Sequence, residues 1–196
     1  MRVAPGATRI AAVAVLLAAA GVFLTPWLSL AGVVLAAFTL YFFRDPERDP
    51  PESGVVSPAD GKVSVIREED GRLRVGVYMN ALDVHVNRAP LSGEVHAVDH
   101  RPGAHRPAFS KDSDRNERVR FDFGEFEVDL VAGWFARRIV PYAEVGDEVE
   151  RGERIGHIAF GSRADVLLPA GFDRDDLRVE MGERVRAGET VLADEP

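Results

Sequence analysis

Among the chain's 18 glycines only Gly161 is followed by serine. Gly-Ser is a common hairpin turn, but it is also the smallest unit able to rearrange its own backbone. Glycine lets the main chain strain and exposes its carbonyl to the next residue's hydroxyl. Attack of Ser162 Oγ on the Gly161 carbonyl would turn the peptide link into an ester. Loss of the Ser162 α-proton would then expel that ester and leave dehydroalanine, which hydrolyses to a pyruvoyl group. A serine hydroxyl is a weak nucleophile, so a base and an orienting group must stand nearby. On the dipeptide alone both readings stay open, and the turn is the commoner. Asp60, in Pro58-Ala59-Asp60-Gly61, reads by itself as turn chemistry. His85 ends a strand-like run, where a lone histidine is often simply packed, yet it is the side chain suited to proton transfer near neutral pH.

Other chemistries find less support. The chain has no cysteine, which removes disulfides, thiolate metal sites and cysteine nucleophiles. Its five histidines form no HExxH motif. His96, His100 and His105 could gather in one loop region, but their spacing is not that of a metal site, and no metal is expected. His157 reads as structural. Arg137 and Arg138 are either a phosphate-neutralising pair or a solvated one.

These groups need a scaffold, and the sequence outlines it. From Ile10 to Phe43 no residue is charged. A straight helix over that run would exceed the roughly 20 residues that span a bilayer. Thr25-Pro26 interrupts it near the middle, so the run predicts a transmembrane hairpin of two helices, about 8–24 and 27–43. Arg2 and Arg9 on one flank and Arg44 and Arg48 on the other place both ends in the cytoplasm. The net charge of −8 becomes −10 once Arg2 and Arg9 are set aside, an acidic surface that argues against nucleic acid. Many carboxylates beside only two lysines, Lys62 and Lys111, also suit a salt-adapted organism, although GC-rich codon usage would give the same arginine preference.

After a charged, proline-rich linker over residues 44–54, residues 55–196 alternate in short runs broken by glycine. Strands are expected at Lys62–Ile66, Leu73–Met79, Glu94–Val98, Arg118–Phe123, Phe126–Val131, Arg154–Ala159 and Ala164–Leu168, the pattern of a mainly β sandwich or barrel. Two segments echo each other: Val145–Gly156 and Met181–Leu192 share Gly-acidic-x-Val-x-x-Gly-Glu. Such repeats resemble the barrel-sandwich fold of lipoyl and biotinyl domains. Neither lysine lies in them, however, so a carrier role is not implied. A membrane-tethered adaptor without chemistry would explain the repeats and the anchor.

Ordered motifs favour an enzyme instead. Phe160-Gly161-Ser162-Arg163-Ala164-Asp165-Val166-Leu167-Leu168-Pro169 resembles the processing site of the short branch of the phosphatidylserine decarboxylase family, which includes archaeal archaetidylserine decarboxylases. In the expected order stand Tyr41-Phe42-Phe43-Arg44-Asp45-Pro46, Ser57-Pro58-Ala59-Asp60-Gly61-Lys62-Val63, Asp83-Val84-His85-Val86-Asn87-Arg88-Ala89-Pro90, Asn116-Glu117-Arg118 and the run from Ala132 to Val140. The resemblance covers roughly residues 40–170. It implies a proenzyme that cuts itself at Gly161-Ser162 into a β chain (1–161) and an α chain (162–196). On the same resemblance Ser162 would become a covalent pyruvoyl cofactor that binds the substrate amine as a Schiff base and decarboxylates the serine headgroup of a membrane phospholipid. It further implies that Asp60 assists self-processing and that His85 protonates the product. Longer relatives carry a second histidine where this chain has Arg88. Either His85 serves both steps, or Arg88 and Asp60 compensate. The implied partners are the lipid and the two chains of one precursor at the cell membrane; homo-oligomerisation is left open.

Overall fold

The computed structural model describes residues 2–103, 115–133, 139–159 and 161–194. They fall into two compact units, Met1–Glu47 and Arg48–Pro196.

The first unit is a helical hairpin. Strand β1 (Arg2–Val3) precedes α1 (Ala7–Leu24) and α2 (Pro26–Phe42), and β2 (Arg44–Asp45) returns to pair with β1. The break falls at Thr25-Pro26. Thr25 is extended and its hydroxyl accepts from Leu28 N at 3.4 Å. Pro26 sits in the first turn, where an N–H would have no helical partner. The helices touch through small residues: Ala11, Ala14, Ala18 and Gly21 of α1 are buried, as are Gly32 and Ala36 of α2. A methyl on Gly32 would lie 2.7 Å from Ala18 Cα, so the backbones approach as only small residues allow. Leu16, Phe23 and Trp27 point outward. With 18 residues and a mean hydropathy of 2.1, α1 is long and apolar enough to cross a membrane; α2 has 17 residues.

The second unit is mainly β. Its strands in chain order are β3 (Val55–Val56), β4 (Gly61–Glu69), β5 (Arg72–Met79), β6 (Val86–Arg88), β7 (Gly93–Glu94), β8 (Ala97–Arg101), β9 (Arg118–Asp122), β10 (Glu127–Val131), β11 (Ile139–Pro141), β12 (Glu148–Val149), β13 (Arg154–Ile158), β14 (Ser162–Leu167), β15 (Arg184–Val185) and β16 (Val191–Ala193). Seven of them form one antiparallel sheet in the order β15-β4-β5-β14-β10-β9-β8, and β11-β13-β6 form a second. Two-stranded pairs β12-β7 and β16-β3 complete the unit. Among the described residues no sheet closes into a barrel. Each expected run carries a strand, but Glu94–Val98 divides between β7 and β8, because Val95 N turns to Asp147 O and His96 N to Asp122 O.

The large sheet is apolar on one face and ionic on the other. Val75 and Val77 of β5, Val128 and Leu130 of β10, and Ala164 and Val166 of β14 enter the core with Phe121, Ile155, Ile158 and Leu192. On the opposite face Asp165 of β14 lies directly across from Asp129 of β10, a like-charge pairing that destabilises unless compensated. Arg74 Nη1 stands 2.9 Å from Asp129 Oδ2 and 3.8 Å from Asp165 Oδ2. Arg120 Nε donates to Asp129 Oδ1 at 2.8 Å, and Arg163 grips Asp165 through two bonds of 2.6 and 2.8 Å. Burial works against the Asp129 carboxylate, yet the Arg120 bonds and the Arg74 charge outweigh it and hold its pKa below the ordinary 3.8.

The two echoed segments are equivalent in structure. Gly182 N donates to Val63 O and Val63 N to Glu183 O, just as Gly146 N donates to Val95 O and Val95 N to Asp147 O. Gly188 N meets Ser57 O as Gly152 N meets Ala89 O, all at 2.8 Å. The partners therefore repeat too: Ser57-Pro58-Ala59-Asp60-Gly61-Lys62-Val63 matches Ala89-Pro90-Leu91-Ser92-Gly93-Glu94-Val95. The copies clasp each other reciprocally, Val56 N to Pro90 O and Arg88 N to Pro58 O.

Replacing Asp129 with asparagine should remove the carboxylate that Arg74 and Arg120 share, leaving them Glu69 and Glu127, and lower the unfolding free energy by about 3 kcal/mol at neutral pH. A carboxyl with a depressed folded pKa stabilises above its unfolded value and loses that contribution as pH falls through the folded one. The wild-type advantage over Asp129→Asn in urea melts should therefore persist at pH 5 and above and shrink below the ordinary 3.8.

Candidate active site

Ser162 opens β14, and the pairing register fixes its neighbours. It lies opposite Met79, the last residue of β5. Lys62 pairs with Tyr78, which sets Gly61, the first residue of β4, beside Met79, and Val185 at the end of β15 pairs with Gly61. Ser162, Met79, Gly61 and Val185 thus form one row across four strands at one end of the sheet. Gly61 is required there, since a Cβ on it would stand 2.1 Å from Tyr78 O.

Gly161 links the two main sheets, because β13 belongs to the three-stranded one and β14 to the seven-stranded one. It adopts φ +59, the left-handed region that glycine enters without strain, and among the described residues, its chain neighbours aside, no atom lies within 4 Å of where a Cβ would stand. Ser162 is fully buried, and its Oγ lies 4.0 Å from Met79 Sδ. Asn87, also fully buried, donates from Nδ2 to the same sulfur at 3.5 Å and to Pro58 O at 3.4 Å. The side chain of Asn87 therefore stands one contact away from the serine.

His85 is brought to this end by the chain just before β6. It is 1% exposed, and Ile158 N, at the end of β13, donates to its carbonyl. Its Nδ1 is 3.0 Å from Asp83 O. A carbonyl only accepts, so the neutral ring carries its proton on Nδ1 and leaves Nε2 unprotonated. Asp83 is in turn pinned by Asn80 N, which donates to Oδ2 at 2.9 Å.

Asp60 is held on two sides. Arg48 Nη2 lies 2.9 Å from both of its oxygens, and Ala187 N donates to Oδ1 at 2.8 Å. Burial nevertheless dominates and pushes its pKa above the ordinary carboxylate range, against the opposing pull of the Ala187 N–H and Arg48. In the matching half Ser92 Oγ accepts from Arg151 N at 2.9 Å. Asp60 thus shares the turn-holding task of Ser92 and adds a charge, for which Arg48, grouped by sequence with the linker, is the counterion.

The remaining sequence candidates lie elsewhere. Arg88 is buried and donates from Nη1 to Gly152 O at 2.7 Å, toward the first repeat's turn. His157 is buried on β13 with Nδ1 2.8 Å from Tyr142 Oη, and burial lowers its pKa. His100 Nε2 lies 2.8 Å from Glu117 Oε1. Among the described residues no three His, Asp or Glu side chains gather as a metal site. His105, Phe160, Arg137 and Arg138 lie outside the described residues. Sequence reasoning missed Arg48, Met79, Asn87 and Ala187. The repeat could have pointed to Ala187, and the match of Pro58-Ala59-Asp60-Gly61 with Pro90-Leu91-Ser92-Gly93 would have revealed Asp60 as the charged member of a pair.

Ser162 is thus a buried serine at the start of a central strand, behind a glycine at positive φ, with His85 and Asp60 toward the same end of the sheet. The phosphatidylserine decarboxylase family model matches residues 35–193, and the chain belongs to that family. It is 61% identical over 170 residues, 86% of each chain, to a Halobacterium salinarum protein named "Putative archaetidylserine decarboxylase proenzyme". It is 56% identical over 165 residues to the phosphatidylserine decarboxylase proenzyme of Thermobifida fusca, covering 82% of this chain and 75% of that one. No solved structure matches it.

Removing Arg48 should leave the Asp60 carboxylate buried without its counterion. Arg48→Met is expected to cost about 3 kcal/mol at pH 7. The cost should fall toward acidic pH as Asp60 takes up a proton, and the added change Asp60→Asn should recover most of it. Urea melts of both variants at pH 5 and pH 7 check this.

Proposed function

We propose that the protein is a self-processing decarboxylase that converts a serine phospholipid, of the phosphatidylserine or archaetidylserine type, to the ethanolamine lipid. The observation that carries this reading is the Gly161-Ser162 step: positive φ, an open space at the glycine and a buried hydroxyl at the start of a strand paired on both sides.

Self-cleavage begins when Ser162 Oγ bonds to the Gly161 carbonyl carbon and the C–N bond breaks, leaving an ester and a free serine amine. His85 Nε2 takes the hydroxyl proton, the role its Nδ1 bond to Asp83 O prepares. Loss of the Ser162 α-proton expels Gly161 as a carboxylate. Water then converts the resulting dehydroalanine to a pyruvoyl group with release of ammonia. The residues fit such a group: the site is buried, the new end is held by β14, and no thiol or gathered metal ligands compete with it among the described residues. Once formed, the pyruvoyl supplies the electron sink for loss of carbon dioxide. His85 Nε2 then holds the proton that the product carbon receives. Of the two ways to manage without a second histidine, His85 acting twice is favoured, because Arg88 donates to the Gly152 carbonyl and Asp60 is tied to Arg48 and Ala187.

The α chain stays in place because each of its strands pairs with one upstream of the cut: β14 with β5 and β10, β15 with β4, β16 with β3. The helical hairpin anchors the enzyme in the membrane with both ends in the cytoplasm, confining it to the plane of a substrate that never leaves the bilayer. At about 1.5 Å per residue α1 spans about 27 Å, close to the hydrocarbon thickness. The barrel-sandwich kinship suggested by sequence rests on the two equivalent repeats.

A denaturing gel should show two fragments, the smaller running from Ser162 to Pro196, and hydroxylamine should inactivate the enzyme by capping its ketone. Ser162→Ala should remain one chain and release no carbon dioxide from lipid. Decarboxylation by that unbroken variant would refute the reading. His85→Ala should slow self-cleavage by about a hundredfold or more, since positioned acid–base groups contribute about 10²–10⁴; a normal cleavage rate would move the base elsewhere.

A further inference from the structure

The two repeats differ in charge at one place. The first reads Asp147-Glu148-Val149-Glu150 and the second Glu183-Arg184-Val185-Arg186. The valines are equivalent and buried, so each flanking acid of one copy is replaced by an arginine in the other. In a chain of net charge −8 this reversal calls for a local reason. The arginine copy is the one beside Ser162: Val185 pairs with Gly61, in the row that runs through Met79 to the serine, whereas Val149 pairs with Gly93 on a separate strand pair.

Arg184 and Arg186 border a hollow of about 300 Å³ whose other walls are Asp60, Gly61, Asp83 and Val185. Both guanidiniums reach into solvent, with side chains 67% and 73% exposed, and are held only loosely, Arg184 by Asp83 at 3.5 Å and Arg186 by Glu189 at 3.7 Å. Exposed pairs at such distances contribute little and exchange readily for a better acceptor. Arg48 spans Asp60 and Glu189 at 2.9 and 3.1 Å, so Arg184 and Arg186 are the loosely held cations at the hollow. Gly61 lies two strand spacings from Ser162, about 10 Å. An arginine side chain can hold a phosphate across that span while the amine of the same headgroup reaches the reacting end. Leu82, 62% exposed, is the chain neighbour of the wall residue Asp83, and an exposed apolar side chain there suits a lipid better than free phosphate.

We propose that Arg184 and Arg186 form the subsite for the phosphodiester of the lipid headgroup, so that the arginine-bearing repeat recognises substrate while its glutamate-bearing twin is structural. This rests on the decarboxylase reading and names the group by which that site holds its substrate. Guanidinium–phosphate bonds are charge-assisted and geometrically matched.

The test uses full-length enzyme in detergent micelles with short-chain phosphatidylserine. The double variant Arg184→Ala, Arg186→Ala should raise KM by about tenfold or more, given the strength of charge-assisted bonds, with kcat within about twofold. Glycerophosphoserine should compete with lipid on the wild type and lose about the same factor on the variant, whereas free serine should compete with neither. An unchanged KM overturns the proposal. Inorganic phosphate competing as well as glycerophosphoserine would overturn the lipid assignment in favour of a general anion site. Should the double alanine variant melt early, Arg184→Gln with Arg186→Gln keeps the side-chain stems, and its KM decides in the same way. If the wild type releases no carbon dioxide from lipid, the decarboxylase reading itself fails; if it does and the variants match it, only this inference fails.

Discussion

The structure depends on β14 being paired along both edges. Between β5 and β10 every backbone group of a six-residue strand can be satisfied inside the sheet. Its side chains tie it down on both faces. Ala164 and Val166 enter the core, while Asp165 joins the ionic cluster of Arg74, Arg120, Arg163 and Asp129. A strand fixed so thoroughly can lose its covalent connection at one end without losing its place. That is the condition for a chain to cut itself at Ser162 and still keep the new terminus positioned.

The same fixation sets which groups lie toward the serine's end of the sheet. The row Ser162, Met79, Gly61, Val185 is set by register alone. Loops leaving that end of the sheet carry Asp60 and the Asn80–His85 turn, and β6 passes Asn87 beside Met79. Part of this was legible beforehand. The long strands alternate clearly enough to be found, and the apolar run with its Thr25-Pro26 break announces two helices. Gly161-Ser162, Asp60 and His85 are ordinary residues for where they fall, and only the ordered motifs that resemble the family singled them out.

What sequence did not disclose has physical reasons. Strands β3, β6, β7, β11, β12, β15 and β16 have two or three residues each, too few for a period to register. Arg48 sits in a stretch whose prolines read as linker, yet its guanidinium closes on Asp60 from 12 positions away in the chain. The ionic face of the large sheet was hidden because Arg74, Asp129 and Asp165 look like ordinary solvent-facing residues of amphipathic strands. Pairing with one another and with Glu69, Arg120 and Arg163 allows them to be buried. The repeat was recognised in its glycine turns but not in the segments those turns clasp, where only proline, glycine and valine positions persist.

The position of Gly161 between two sheets gives maturation a direction. On the proposed cleavage, folding precedes the cut and is the search of a single string. Afterwards the molecule consists of two pieces whose reassociation depends on concentration, and the smaller piece carries three strands that have no partners among themselves. The assembled state is therefore inherited from the precursor rather than re-found, and a mature molecule that comes apart has lost the template that built it.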